Sequence, residues 1–220
     1  MPKPDNSPLP GKPASLRTRD RILATSLALF NADGVAKVSA SRIAAELGMS
    51  QGNLHYHFRR KEEIVDRLVR RYEQEAGPVL AGPTSELASV DDLWLFLHLG
   101  FEKIFEYRFI YREIDYLTTE FPSLGARMRE LTAQGIETLK RLCTQLAAAG
   151  CLRASEEEIA VLALQMILTA TCWFTFARLL PETEDTGPGR AAYQVLSLLV
   201  PFLADNERTY VEYLRRKYRA

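Results

Sequence analysis

SASRIAAELGMSQGNLHYHFRRKEEI, Ser39 to Ile64, decides the fold of this chain, because it reads as two short helices joined by a tight turn and followed by positive charge. Ile43, Ala44 and Leu47 form one apolar stripe at helical spacing. Gly48 suits the left-handed backbone that stops the first helix, and Ser50 suits the cap of the next. A helix-turn-helix of this build lays its second helix in the major groove of DNA, with the residues near that helix's N-terminus at the base edges. Here those residues are Gln51, Gly52 and Asn53. Gln and Asn bond two edges of adenine at once, and Gly52 lets the backbone come close to phosphate. Arg59, Arg60 and Lys61 follow with charge for phosphates, where in another context the run would be only a solvated face.

Working outward, RTRDRILATSLALFNADG, Arg17 to Gly34, is an amphipathic first helix with apolar positions at Ile22/Leu23, Leu27 and Leu29/Phe30 and a glycine stop. Beyond the motif, Ile64, Val65, Leu68, Val69 and Tyr72 carry the same period into a longer fourth helix. Leu54 and Phe58 are expected to close the core of the three-helix unit. The order of basic N-terminus, helix, Gly, Ser-initiated helix, Leu-Gly-Met-Ser turn, Leu-x-x-His-Phe and Lys-Glu-Glu-Ile closely resembles the TetR family of bacterial transcription regulators, over about Arg17 to Tyr72.

That resemblance implies roles. Arg17 and Arg19, from the basic N-terminus, join the DNA-binding set. Ser39 and Ser41 touch the DNA backbone from the second helix, while Gln51, Gly52 and Asn53 face bases or nearby phosphates. His55, Tyr56, His57 and Lys61 line the phosphates. One position departs from the family pattern: an imidazole, His55, stands where members usually carry an aromatic, most often Tyr. A metal shared by His55 and His57 is disfavoured, since residues two apart on a helix point to nearly opposite sides. For His57 two readings stand, phosphate contact or a buried ring bonded to backbone.

The formal charge of the whole chain is zero, with 28 Lys/Arg against 28 Asp/Glu. Residues 1–61 hold ten Lys/Arg and four Asp/Glu, a net of +6, and the remainder is −6. A polyanion is drawn to one end and turned away from the rest, which favours a focused DNA contact over a general nucleic-acid coat. The opening MPKPDNSPLPGKPA is rich in Pro and polar residues and lacks the apolar run of a secretory signal, so residues 1–14 are expected to form a disordered arm. Residues 15–62 are then the helix-turn-helix domain, and 63–220 a larger helical domain. Cys143, Cys151 and Cys172 lack metal-ligand spacing and fit reduced thiols filling the core of a cytoplasmic protein.

Beyond Tyr72 the pattern stays helical, broken at Gly77–Pro83, Phe121–Pro122, Gly150–Ala154, Pro181–Gly189 and Ala204–Asn206. Five or six helices are expected there, and no stretch alternates like a strand, so the fold is all-α. Ser155 and Glu158 make a capping-box pattern ahead of the most apolar of these helices. From Ile159 to Ala177 no residue is charged, close to the length of a bilayer span. Gln165, Thr169, Thr171 and Thr175, the acidic lead-in and the absence of an excess of basic residues at one end argue instead for burial against a partner subunit. The Ala191–Leu203 segment is likewise apolar at helical spacing. Two such helices suit the four-helix dimer interface of the resembling family, with Leu162, Met166, Thr169, Trp173, Leu196, Leu199, Val200 and Leu203 as contacts.

Nine aromatics crowd Trp94–Phe121, about threefold the chain average of 10%. The family resemblance implies an effector pocket in this part of the chain. Trp94, Phe101, Phe105, Tyr107, Tyr111, Tyr116, Met128, Met166, Trp173 and Phe174 are its candidate walls, although apolar cores use the same residue types. No nucleophile motif, phosphate loop, metal spacing or cofactor signature is present, and His98 with Glu102 is the one His–carboxylate pair at helical spacing. The expectation is therefore a cytoplasmic, homodimeric repressor, released from a palindromic operator in double-stranded DNA by a small apolar or aromatic molecule. A DNA-binding regulator without an effector, and a helical enzyme or adaptor, are the rivals.

Overall fold

The computed structural model describes residues 14–83, 89–181 and 185–218, and among them it contains eleven α-helices and no strand. The arm expected over 1–14 lies outside the described residues apart from Ala14, where α1 begins. The chain divides into two compact units, with the boundary between Leu68 and Val69.

In the first unit, α1 (Ala14–Asp33), α2 (Ala40–Glu46) and α3 (Gln51–His57) pack on one another. Ile22, Phe30, Val35, Ile43, Leu54 and Phe58 are buried, joined by Ile64, Val65 and Leu68 from the start of α4 (Lys61–Leu80). Ser39 caps α2 by accepting the Arg42 amide at 3.2 Å, and Ser50 caps α3 by accepting the Asn53 amide at 3.2 Å. Between the two helices Gly48 sits at φ 63°, a conformation that costs a residue with a Cβ roughly 1–2 kcal/mol.

In the second unit, α4 does not stop at Gly77 as its sequence suggests. Pro78 falls in the last turn, where its missing N–H removes a single bond of the ladder, and the helix runs on to Leu80. It stops at Gly82, φ 77°, where an added Cβ would lie 2.7 Å from the Arg141 guanidinium. That guanidinium donates to the Ala81 carbonyl at 2.8 Å.

After α4 come seven α-helices rather than five or six: α5 (Val90–Glu106), α6 (Phe109–Arg112), α7 (Ile114–Glu120), α8 (Pro122–Ala148), α9 (Glu156–Phe176), α10 (Pro188–Ser197) and α11 (Asp205–Tyr218). The extra breaks fall inside the aromatic stretch. Tyr107, Phe109, Ile110 and Tyr111 are all buried, and consecutive residues of one straight helix cannot all face one core, so the chain turns at Tyr107 and Glu113. The apolar period from Ala191 to Leu203 is not one helix either. Pro201 lacks an N–H for the Ser197 carbonyl, and α10 ends at Ser197, followed by a short 3-10 turn over Val200–Phe202. Leu203 then forms an isolated antiparallel bridge with Leu152. Within this unit α8 packs on α7 and α9, and α10 on α5, α9 and α11.

Candidate nucleic-acid interface

α3 turns a single residue inward. Leu54 is buried, and Gln51, Gly52, Asn53, His55 and Tyr56 are exposed, Tyr56 to 82%. The base-reading candidates thus stand exposed at the start of a capped helix. A Cβ at Gly52 would meet nothing nearer than the Ser50 hydroxyl at 4.0 Å, so the glycine leaves an open surface rather than filling a tight one.

The surrounding residues are less free than their charges suggest. Lys61 donates to the Val35 carbonyl at 2.8 Å and is half-buried, which ties the start of α4 to the α1–α2 loop. One of its three donors is thus used inside the fold, and two remain for a phosphate. Arg19 stacks its guanidinium 4.9 Å over the Phe58 ring, and Arg42 pairs with Asp33 at 2.8 Å. Arg17, Arg59 and Arg60 are exposed. The Ser39 and Ser41 hydroxyls lie 2.8 Å apart, so the capping oxygen of Ser39 also engages Ser41.

His55 holds its ring by both nitrogens. Nδ1–H donates to the Arg59 carbonyl at 3.0 Å, which places the lone pair of the neutral ring on Nε2, and the Gln51 amide donates to it at 3.4 Å. His57 is half-buried, its ring edge-on to Tyr56 with centroids 5.2 Å apart.

The second unit holds a partly open apolar cavity of about 70 Å³ between α5, α8, α9 and the end of α4. Phe101, Tyr111, Met128 and Met166 line it, as expected from their apolar character. The other candidates do not. Trp94 stacks on His98 with centroids 4.9 Å apart, Phe174 packs between Phe101 and Phe105, and Tyr107 packs on Tyr72. Trp173 is buried and donates to the Thr186 carbonyl at 3.3 Å, and Tyr116 lines a separate surface groove. These rings fill the spaces between helices. Two wall positions that were missed carry a readable signal: Gly100 in α5 and Gly135 in α8 both line the cavity. A mid-helix glycine costs about 1 kcal/mol relative to alanine, and an added Cβ would lie 2.9 Å from the Ile167 side chain at Gly135 but would meet nothing within 4 Å at Gly100.

The interface candidates need the largest correction. Leu162, Met166, Trp173, Leu196, Leu199 and Leu203 are buried within the single chain and offer no surface to another, and Thr169 and Val200 are half-buried. α9 has a second apolar face that does reach the surface: Val161, Leu164, Leu168 and Phe176, each 52–60% exposed, with Cys172 in line. Cys172 is therefore not core filling, unlike Cys143 and Cys151.

An exposed polar recognition helix in a compact helix-turn-helix unit, followed by a larger helical unit, defines a DNA-binding regulator. A model of bacterial regulatory proteins of the tetR family matches residues 22–68, and a TetR model described as bacterial transcriptional repressor matches residues 71–211. A TetR-family transcriptional regulator from Marinobacter aquaeolei VT8 is 35% identical, with a TM-score of 0.82 over 92% of this chain and 99% of that one. A ketosteroid transcriptional regulator of Mycobacterium tuberculosis shares the fold at 18% identity, TM-score 0.64, over 86% of this chain and 96% of that one. So does a transcriptional regulator from Saccharomonospora viridis solved in complex with choline, at 18% identity, TM-score 0.66, over 83% and 95% of the two chains. An HTH-type transcriptional regulator of Staphylococcus aureus (strain bovine RF122 / ET3-1) is 35% identical over 57 residues, 26% of this chain and 31% of its own length. The chain belongs to the TetR family of bacterial transcription regulators. Members are soluble DNA-binding regulators, not enzymes. The stretch Glu156–Leu179, long and apolar enough to cross a bilayer, is here a helix of such a protein.

Proposed function

We propose that this chain is a cytoplasmic, homodimeric repressor that leaves a pseudo-palindromic operator when a small apolar molecule enters its second unit. Gln51, Gly52 and Asn53 read bases, and Arg17, Arg59 and Arg60 supply phosphate charge, with Ser39, Ser41, Tyr56 and His55 at the backbone. The exposed face of α9, from Val161 to Phe176, pairs with its copy. A helix apolar on both faces is a poor surface in water and a good one in a dimer.

The observation that carries the effector part is the apolar cavity beside the end of α4. Its size is below the roughly 300–1,000 Å³ of sites for drug-sized ligands, so occupation requires the surrounding helices to move apart. A ligand that binds the moved arrangement better shifts the population toward it, carries α4 along and changes the spacing of the two recognition helices.

The test is retardation of genomic fragments at low salt. The proposal expects a retained fragment with two-fold sequence symmetry, an affinity that falls steeply with salt, and release by an apolar small molecule. Failure to retain any fragment would refute it.

A further inference from the structure

Tyr111 occupies two places at once. It and Thr171 are the two residues shared by the walls of the cavity and of the surface groove between α6, α7 and the outer side of α9. The Tyr111 ring is thus part of the partition between solvent and cavity, and Thr175 of α9 donates its hydroxyl to the Tyr111 carbonyl at 3.3 Å. The Tyr111 hydroxyl lies 2.6 Å from that of Tyr72, in the second half of α4. The two rings meet edge to face with centroids 6.1 Å apart, and both residues are buried.

Burial keeps both phenols protonated: Tyr72 is held well above the ordinary range, and Tyr111 is pushed up to about 12. Two protonated hydroxyls form one hydrogen bond with each other and leave one O–H hydrogen over, for which no acceptor is seen among the described residues. A buried donor without an acceptor is unfavourable, and a ligand that brings one relieves it. Among the described residues no charged side chain lines the cavity, so a charged ligand would be stranded there.

We propose that Tyr111 is the reporter of this cavity: an uncharged, apolar molecule bearing one hydrogen-bond acceptor takes the spare hydroxyl hydrogen and separates Tyr111 from Tyr72, shifting the second half of α4. The inference rests on the cavity being the effector site, and it adds the ligand's chemistry and the pair of residues that reads it. The Glu73 carboxylate, next to Tyr72, is paired with Arg127 of α8, so the shift propagates into that pair rather than loosening α4 along its whole length.

The full chain is tested with three probes of matched length: 2-hexanone, hexanoate and hexyltrimethylammonium, with binding followed by ligand-observed NMR. The ketone is expected to bind the parent, and the two ions at least about 10-fold more weakly. Saturation with ketone is expected to speed hydrogen exchange across Val69–Leu80 by about 3-fold or more. Single Phe variants each strand a hydroxyl, so the informative protein is the double variant Tyr72→Phe with Tyr111→Phe. It should still bind the ketone, about 5-fold more weakly or less, and show no change in Val69–Leu80 exchange when saturated. Equal acceleration in the double variant overturns the reporter role and leaves the effector reading standing. Tighter binding of either ion overturns the ligand class. A parent that binds none of the three overturns the effector reading, and this inference with it.

Discussion

α3 and α9 carry the two surfaces on which the proposed function rests, and they are built in opposite ways. α3 is seven residues long, fully buries Leu54 alone, half-buries His57 and exposes the remaining five positions. α9 is 21 residues long, buries Leu162, Met166, Trp173 and Phe174, and exposes Val161, Leu164, Leu168 and Phe176 on another face. A polar contrast between faces tells inside from outside. In α9 that contrast is missing, and the packing of α6, α8 and α10 against it decides which face turns inward.

The largest expected effect separates the two faces of α9. Met166 is fully buried, and Met166→Glu places an unpaired carboxylate in the core at a cost of about 4 kcal/mol or more, so denaturant unfolding should show the second unit lost. Leu168→Glu should leave the helical circular dichroism signal intact and weaken dimerisation by about 100-fold or more in sedimentation, since it charges only the outer face. The reverse outcome, a folded monomer from Met166→Glu and an unfolded chain from Leu168→Glu, would show that the faces are exchanged.

Next in size are changes on α3. Asn53→Ala should cost about 1–3 kcal/mol on the preferred duplex and little on others, as expected for loss of a bidentate base contact. Arg60→Ala should weaken all duplexes alike and lower the salt slope by about 0.9, the share of one phosphate contact. If both variants lose affinity uniformly, Asn53 contacts backbone rather than base.

The three-helix unit was largely legible in the sequence because each of its signals has a single physical meaning. Ser39 and Ser50 are caps, Gly48 is a left-handed stop, and Leu54 and Phe58 are the apolar positions of otherwise polar turns. What escaped was long-range: nothing local announces that Lys61 reaches the Val35 carbonyl or that Arg19 lies over Phe58. In the second unit the breaks at Gly150 and before Pro122 were visible as punctuation, and the Ser155–Glu158 capping box forms as its pattern suggests. The turns at Tyr107 and Glu113 carry no Gly or Pro, and the wall of the cavity shares its residue types with the core. Gly100 and Gly135 were the clue available.

Smaller effects sharpen the contrast between glycines in the motif. Gly48→Ala should cost roughly 1–2 kcal/mol of stability through its positive φ alone, since no atom lies within 4 Å of the added Cβ. Gly52→Ala should fold normally and weaken DNA binding instead. A thermal melt and a retardation assay on both variants check the two halves of that statement.

The smallest effect expected is at His55. Its ring is held by the Arg59 carbonyl through Nδ1–H and by the Gln51 amide at Nε2, so it offers phosphate no free donor, and His55→Ala should lower operator affinity by less than about 3-fold in a retardation assay. A loss as large as that of Asn53→Ala would place His55 among the principal DNA contacts.

The central claim, a dimer that reads DNA through two copies of α3, is tested most directly by sedimentation of the full chain on its selected duplex at low and moderate salt. The account predicts two chains per two-fold-symmetric duplex, lost together as salt rises and absent for Leu168→Glu. One chain bound per duplex, or undiminished two-chain binding by Leu168→Glu, would contradict it.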